Sequence, residues 1–307
     1  MTEHRVFTVD AFTHHAYGGN PCAVVLDADD LSSDQMQTMA QEMNLSETAF
    51  VLSSERAAFR VRYFTPREEI PFAGHPTIAT TYAMAMEGGM PVHPPGIVIE
   101  IEFAIGVLPV EIEVGDSGIE RIVMTQPAPM YGRAVDSGAV AGALHLLPGD
   151  LQPACSPRVA GVGVPFLMIG LRNRETMLDV SPDWSALQDI CRSVDASAAY
   201  LYAPGGRDAR ADLCARFLDP FAQYEDPFTG SACGAMAALA ARSGLVAKEH
   251  LVIEQGEGVG RIGYAEVSLR KVEERLLVGG TAALVVSGTI TAPSVVEGNN
   301  LEDGGTK

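Results

Sequence analysis

The sequence has few basic residues, no long apolar run and no paired cysteines, and each shortage excludes a class of protein. Lys and Arg number 21 against 39 Asp and Glu, which gives a formal net charge of -18. Because this charge repels phosphate backbones and anionic membrane surfaces, we expect neither nucleic acid nor a membrane as a partner. No stretch approaches the ~18 consecutive apolar residues of a membrane span, and the start, MTEHRVFTVD, lacks the features of a signal peptide.

Cysteine is scarce and scattered along the chain. The count is odd and no C-x-x-C pair occurs, so the pattern predicts neither a disulfide framework nor a zinc site. This usage fits a reduced compartment, and we expect a cytoplasmic protein. The five cysteines are Cys22, Cys155, Cys191, Cys214 and Cys233.

The residues that are present predict a globular α+β protein. The 307 residues are 47% hydrophobic, enough for two cores in one molecule. Between Asp34 and Met43 the apolar residues recur at the spacing of one helix face. The stretch GIVIEIEFAIGVLPVEIEVGDSGIERIVMTQ is a run of short strands punctuated by glycine. Strands outnumber helices in this reading of the chain.

One short phrase occurs twice. IPFAGHPTIATTYAMA and DPFTGSACGAMAALAA share the start Pro-Phe-x-Gly, at Pro71 and at Pro227, about half the chain apart. The order of strands and helices also restarts beyond Pro129. We therefore predict two similar domains, residues 1–125 and 126–294, with a final strand able to cross back to the first domain. The polar, Gly-rich residues 295–307 are predicted to be a disordered tail.

Each copy of the phrase leads into a helix of small residues that begins at a glycine, Gly74 or Gly230. Small side chains allow a sheet to curl tightly around such a helix, so we expect one central helix in each domain. The first-turn N–H groups of a helix have no partner inside it and attract anions. If the domains face each other, the two helix starts meet at one cleft. For either copy alone, an ordinary glycine cap is the simpler interpretation.

The chain resembles the PhzF-like phenazine-biosynthesis isomerases, which have the diaminopimelate-epimerase fold. The motifs that carry the resemblance are VDAFTHHAYGGNPCAVV, NLSETAFV, FTPREEIPFAGHPT, EDPFTGSACGA and EQGEGVGR, in this order from about Phe7 to about Ile290. The resemblance implies two domains, each a mostly antiparallel sheet curled around a central helix, with the active site between them. It also implies a homodimer that needs no cofactor and no metal.

The resemblance assigns proton transfer to Glu47 of NLSETAF. His75, Asp226 and Ser231 match the other cleft residues of the family, and Gly74 and Gly230 match the substrate-binding helix starts. Racemases of this fold use paired cysteines, which would stand near Ala73 and near Asp226 or Pro227. Neither cysteine is present, which argues against cysteine-based racemisation and makes Cys233 a packed hydrophobic residue.

The residues themselves give each assignment a structural alternative. Glu47 could be a solvated surface residue, but its apolar neighbours predict a raised pKa, which suits a proton-transferring group. His75 could be a helix cap, although a ring at a helix N-terminus tends to stay neutral. Asp226 and Ser231 could also be caps. Finally, GVGRIG spells G-x-G-x-x-G but leads into a predicted strand, so we interpret it as a loop and not as a dinucleotide site.

The sequence thus predicts an isomerase that removes and returns a proton on a small carboxylate-bearing substrate. Two alternatives stay open: a two-base epimerase or racemase, and a non-catalytic protein that binds a small anion.

Overall fold

A computed structural model describes residues 2–90, 92–116, 118–270 and 275–294. The helices are α1 (Ser33–Met43), α2 (Gly74–Met86), α3 (Ser137–Ala143), α4 (Arg174–Leu178), α5 (Trp184–Ser193) and α6 (Gly230–Arg242). The strands are β1 (Glu3–Ala11), β2 (Asn20–Val25), β3 (Glu47–Leu52), β4 (Phe59–Phe64), β5 (Glu69–Ile70), β6 (Gly96–Phe103), β7 (Gly106–Gly115), β8 (Gly118–Gln126), β9 (Met130–Ala134), β10 (Arg158–Val162), β11 (Val164–Gly170), β12 (Ala199–Pro204), β13 (Leu213–Asp219), β14 (Tyr224–Asp226), β15 (His250–Gln255), β16 (Gly263–Arg270), β17 (Arg275–Gly280) and β18 (Ala282–Thr291). The tail predicted to be disordered lies outside the described residues. Among the described helices, none has the length and apolar content to cross a membrane.

The strand pairing repeats between the two halves of the chain. In the first half β1 pairs antiparallel with β2, β2 parallel with β3, β3 antiparallel with β4, and β4 parallel with β6. Strands β10, β11, β12, β13 and β15 repeat the same series of directions. The short strands β5 and β14 occupy equivalent places beside β4 and β13. The predicted α+β fold with two similar, mostly antiparallel halves is confirmed.

Each half is curled around one helix, as predicted. Helix α2 packs against β1, β2, β3 and β8, and α6 packs against β10, β11, β12, β16 and β17. Most residues of both helices are buried, and the first turns are almost entirely inaccessible to water. A helix that is apolar or small on every face can be buried on every face, which explains why these two segments occupy the centres of the sheets.

The outer faces of the sheets are covered by the amphipathic helices. Helix α1 begins with a capping box between Ser32 and Gln35 and buries Met36, Met39 and Ala40 against the first half. Helices α3 and α5 cover the second half with a separate apolar cluster. The sequence predicted α1 but not the short helices α3 and α4.

The halves are joined through shared strands. Strand β8 pairs with β17, β9 pairs with β10, and β18 returns to pair with β1 from Ala282 to Thr291. All the described strands therefore form one continuous sheet. The domain boundary near residues 125 and 126 stays a prediction.

A buried aromatic residue of the first half is inserted into the second half. Phe12 is fully buried and its ring stacks on that of Phe228, with the centroids 4.3 Å apart. A Cβ atom placed on Gly230 would lie 2.8 Å from Phe12 Cζ, and one placed on Gly280 would also collide with the ring. The glycines thus leave the space that Phe12 fills, and the packing fixes the start of α6 against the loop after β1.

Candidate active site

All six predicted site residues line one cleft of about 610 Å³ between the two halves. Glu47 is the first residue of β3, and Asp226 is the last residue of β14. Gly74 and His75 begin α2, and Gly230 and Ser231 begin α6. His14 and His15, on the loop after β1, are exposed and do not line this cleft.

The two central helices begin against each other. A Cβ atom on Gly74 would lie 3.3 Å from the backbone nitrogen of Ser231 and 3.4 Å from Gly230 Cα. Neither helix has a side-chain cap at its N-terminus. Free N–H groups and the positive ends of two helix dipoles therefore meet at the floor of the cleft, where they favour a negatively charged group.

Glu47 and His75 face each other without forming a hydrogen bond. Glu47 Oε2 lies 3.2 Å from His75 Nε2, yet neither atom has a hydrogen-bond partner among the described residues, and both are inaccessible to water. An unpaired polar atom that is buried in this way carries a desolvation penalty of about 1–3 kcal/mol. Two such atoms at one point of the cleft mark a place where a ligand can supply the missing partner.

Burial sets the protonation of this pair. Burial, with a smaller contribution from the nearby Asp226 carboxylate, raises the pKa of Glu47 to about 8. Burial also lowers the pKa of His75 to about 3, although a hydrogen bond to the Pro21 backbone opposes that shift. The imidazole is therefore neutral, as the sequence predicted, but the main cause is burial and not the helix dipole. Because His75 is uncharged, its contact with Glu47 is not an ion pair.

Asp226 is held by several donors. Its Oδ1 accepts hydrogen bonds from Asn20 Nδ2 at 2.9 Å and from Ser46 Oγ at 3.2 Å, and its Oδ2 accepts one from the Thr229 hydroxyl. These bonds favour the charged form, but burial is the larger effect and raises the pKa of Asp226 to about 6. Asp226 does not cap α6, because the N-cap position belongs to Thr229.

Sequence analysis missed Asn20, which connects the two halves of the site. The residue is fully buried, and its Nδ2 lies 2.9 Å from Asp226 Oδ1, 2.9 Å from the carbonyl oxygen of Phe228 and 3.2 Å from His75 Nδ1. The two hydrogens of this amide can bond both oxygens, so Asn20 holds Asp226 and the start of α6 together beside the His75 ring. Asn20 follows Gly18 and Gly19, a composition typical of a turn, and this neighbourhood gives no sign of its role in the site.

The cleft has one cationic side chain and no cluster of metal ligands among the residues described. Arg67, on the loop after β4, is the only Arg or Lys in the lining. No group of three or more His, Cys, Asp or Glu side chains in the described part of the chain has the geometry to hold a metal ion. Cys233 is completely buried inside α6 and burial raises the pKa of its thiol, so it is a poor nucleophile.

The raised pKa of Glu47 predicts that stability falls as the pH rises. The ordinary pKa is 4.5 and the folded-state pKa is about 8, so the folded protein holds this proton over an interval in which the unfolded chain has released it. Asp226 and His75 change protonation at lower pH. Between about pH 6.5 and 8 we therefore expect the free energy of unfolding to decrease, by at most about 1.4 kcal/mol per pH unit.

Urea unfolding at several pH values measures the slope of the free energy of unfolding against pH. A glutamine at position 47 cannot ionise, so Glu47→Gln should remove most of this slope. An equal slope in Glu47→Gln and in the unsubstituted protein would show that another group titrates.

Comparison with known proteins places this fold and cleft in a family. The family model described as "Phenazine biosynthesis-like protein" matches residues 9–288. An uncharacterized isomerase of Clostridium acetobutylicum is 30% identical over 298 residues, covering 93% of this chain and 97% of the relative. The trans-2,3-dihydro-3-hydroxyanthranilate isomerase of Pseudomonas aeruginosa is 34% identical over 260 residues, covering 84% and 87%.

A solved structure has the same fold. The phenazine biosynthesis protein of the PhzF family from Bacillus anthracis aligns with a TM-score of 0.85 and 28% sequence identity, covering 95% of this chain and all of that one. The family model, which matches residues 9–288, covers both halves of the chain and every residue that lines the cleft. The chain therefore belongs to the phenazine biosynthesis-like protein family, a family of isomerases.

Proposed function

We propose that the protein is a cofactor-independent isomerase that removes a proton from a small carboxylate-bearing substrate and returns it at another position. Glu47 is the base that takes the proton and the acid that gives it back. The observation that carries this proposal is the buried, unpaired Glu47 Oε2, 3.2 Å from His75 Nε2, in a cleft of about 610 Å³. A carboxyl group with a pKa near the working pH can both accept and donate a proton.

The reaction also needs a place for negative charge, and the converging starts of α2 and α6 supply it. A substrate carboxylate, or the enolate-like oxygen that forms when the C–H proton leaves, would accept hydrogen bonds from the backbone of Gly74 to Pro76 and of Gly230 to Ala232. Such donors are fixed before the reaction, so they need not reorganise as charge develops. The Ser231 hydroxyl, on the cleft side of α6, would add a donor that can rotate.

His75 completes the proton path. As a neutral imidazole it can hydrogen-bond to the substrate beside Glu47 while Glu47 holds the proton that it has removed and later returns. Asn20 contacts the ring at Nδ1 and positions it beside Glu47. The substrate named for the Pseudomonas aeruginosa relative, trans-2,3-dihydro-3-hydroxyanthranilate, is a candidate because it combines a carboxylate with a C–H acidified by conjugation.

A two-base epimerase is the second candidate, and the raised pKa of Asp226 favours it. Two carboxyl groups with pKa values of about 8 and about 6 lie in one cleft, and such pairs often divide acid and base roles. However, both oxygens of Asp226 already accept hydrogen bonds, whereas Glu47 Oε2 accepts none. This difference supports Glu47 as the proton-transferring group and Asp226 as the residue that orients its neighbours.

Proton exchange in deuterium oxide tests the proposal. When small cyclic and amino carboxylates are incubated with the protein, we expect NMR to show deuterium incorporated at carbon together with a shifted double bond. An epimerase would give deuterium and an inverted centre without a shifted double bond. A protein that only binds anions would gain thermal stability with a ligand yet exchange no C–H proton, and that result would overturn the proposal.

A further inference from the structure

A buried glutamine fastens the segment that leads from β14 into α6. The side chain of Gln255, the last residue of β15, is 1% exposed and uses both ends of its amide. Its Nε2 donates to the carbonyl oxygen of Asp226 at 2.9 Å, and its Oε1 accepts from the backbone N–H of Thr229 at 3.2 Å. The hydroxyl of the fully buried Tyr200 donates to the same Oε1 at 2.8 Å. One amide thus holds both ends of the segment 226–229.

The Thr229 hydroxyl connects this amide to the carboxylate in the cleft. Gln255 Nε2 lies 3.4 Å from Thr229 Oγ1 and can only donate to it. A hydroxyl has a single proton, and with a donor at its oxygen that proton is left to bond an acceptor elsewhere. The Thr229 hydroxyl donates it to Asp226 Oδ2. The amide therefore directs the Thr229 proton to the carboxylate that also holds Asn20 and Ser46.

The first half fastens the equivalent segment with apolar residues. The strand registers and the helix starts give the positions that correspond in the two halves. Each polar residue of the network stands where the first half has an apolar one: Tyr200 for Ala49, Asp226 for Ile70, Thr229 for Ala73 and Gln255 for Phe103. The Phe103 ring packs edge-on against Phe72, with the centroids 5.1 Å apart. Apolar packing is therefore sufficient to fasten such a segment.

Buried polar side chains are costly unless each finds a hydrogen-bond partner, and the first half folds without them at these positions. We propose that Gln255 is a positioning residue, which fixes Asp226 and the start of α6 with respect to Glu47. This role rests on the proposed function, in which those groups face the substrate. Gln255 does not itself line the cleft, so it acts through Thr229 and Asp226. A bonded network in a buried place holds one geometry, and a reaction at carbon depends on such a geometry.

The titration of Asp226 tests this role without a substrate. The hydrogen bond from Thr229 lowers the pKa of Asp226, against the larger effect of burial. Gln255→Met keeps the length of the side chain but removes the amide, so the Thr229 proton is no longer directed to the carboxylate. We expect the pKa of Asp226, measured from the carbon NMR shift of its carboxyl group, to rise from about 6 by about one unit. The substitution leaves in place the other titratable groups that face Asp226, which are Glu47, His75, Tyr200, Asp219 and Tyr224.

Kinetics separates positioning from stability. With trans-2,3-dihydro-3-hydroxyanthranilate as substrate, we expect Gln255→Met to lower kcat by roughly 10-fold and to change KM by less than about threefold, because a displaced group affects the reacting geometry more than binding. Gln35→Met is the matched control. The Gln35 amide also accepts from a backbone N–H, of Ser32, and donates to a backbone carbonyl, of Pro293. Gln35 does not line the cleft, so its substitution should leave kcat and the pKa of Asp226 unchanged.

Each outcome decides the role of Gln255. In folded Gln255→Met, an unchanged pKa of Asp226 or an unchanged kcat would overturn the proposal. Absence of turnover in the unsubstituted protein would count against the proposed function only, and the titration of Asp226 would still decide whether Gln255 controls this carboxylate. If Gln255→Met does not fold, the side-chain amide signals of Gln255 in the unsubstituted protein give the answer. These signals should shift as Asp226 titrates, and constant signals would overturn the proposal.

Discussion

Glu47→Gln should lower turnover by roughly 100-fold or more while leaving the fold and ligand affinity nearly unchanged. The amide has the shape of the carboxyl group and can still lie beside His75, but it cannot accept a proton from carbon. Affinity should survive because the anion site belongs to the helix starts at Gly74 and Gly230. The measurement is the rate of solvent-deuterium incorporation into a verified substrate, together with its dissociation constant.

Glu68→Gln is the matched control for this change. Glu68 also lines the cleft, but it is exposed on the loop after β4. We expect its substitution to change turnover by less than about threefold, as for an exposed charge that takes no part in the chemistry. If Glu47→Gln retained most of the exchange, the assignment of the base would be wrong and His75 or Asp226 would replace it.

Phe12→Ala should lower the free energy of unfolding by about 3–5 kcal/mol, the usual cost of removing a fully buried aromatic side chain. The loss should be at the upper end because the cavity would be lined partly by Gly230 and Gly280, which have no side chains to fill it. The same change frees the start of α6, so turnover should fall too. Urea unfolding at fixed pH measures the first effect.

Phe221→Ala provides the comparison. Phe221 is 38% exposed and lies on the turn after β13, so its loss should cost less than about 1 kcal/mol. A similar small loss for Phe12→Ala would mean that the contact between Phe12 and the second half contributes little to stability.

Local sequence signals predicted the elements whose pattern is regular. The spacing of Met36, Met39 and Ala40 predicted α1, and the repeated phrase predicted two equivalent central helices and their shared cleft. GVGRIG also leads into a strand and not into a helix, as predicted, since a 3-10 turn covers Glu257–Val259 and β16 begins at Gly263. In each case, a short stretch of sequence was enough to predict the element.

The parts that sequence analysis missed depend on contacts between distant residues. Asn20 bonds to residues 55 and 206 positions away, and nothing in its own neighbourhood distinguishes it from a turn asparagine. Phe12 is similar, because its packing requires glycines more than 200 positions later in the chain. Helices α3 and α4 are one or two turns long, too short for a 3.6-residue period to be visible. Glu47 was identified by resemblance, and the lack of a hydrogen-bond partner for its Oε2 among the described residues is a tertiary property.

The pairing of β1 with β18 has a consequence for how the chain is made. Glu3 stands opposite Thr291, so β1, which is synthesised before the other described strands, needs the last of them as its neighbour. Contacts of such long sequence separation slow folding, because the intervening chain must first be brought together. Strand β1 can pair with β2 early, but its other edge stays open until the second half has been synthesised. The first half therefore cannot complete its sheet until β18 has been synthesised, and a chaperone that shields the open edge of β1 until then should reduce the aggregation of newly made chains.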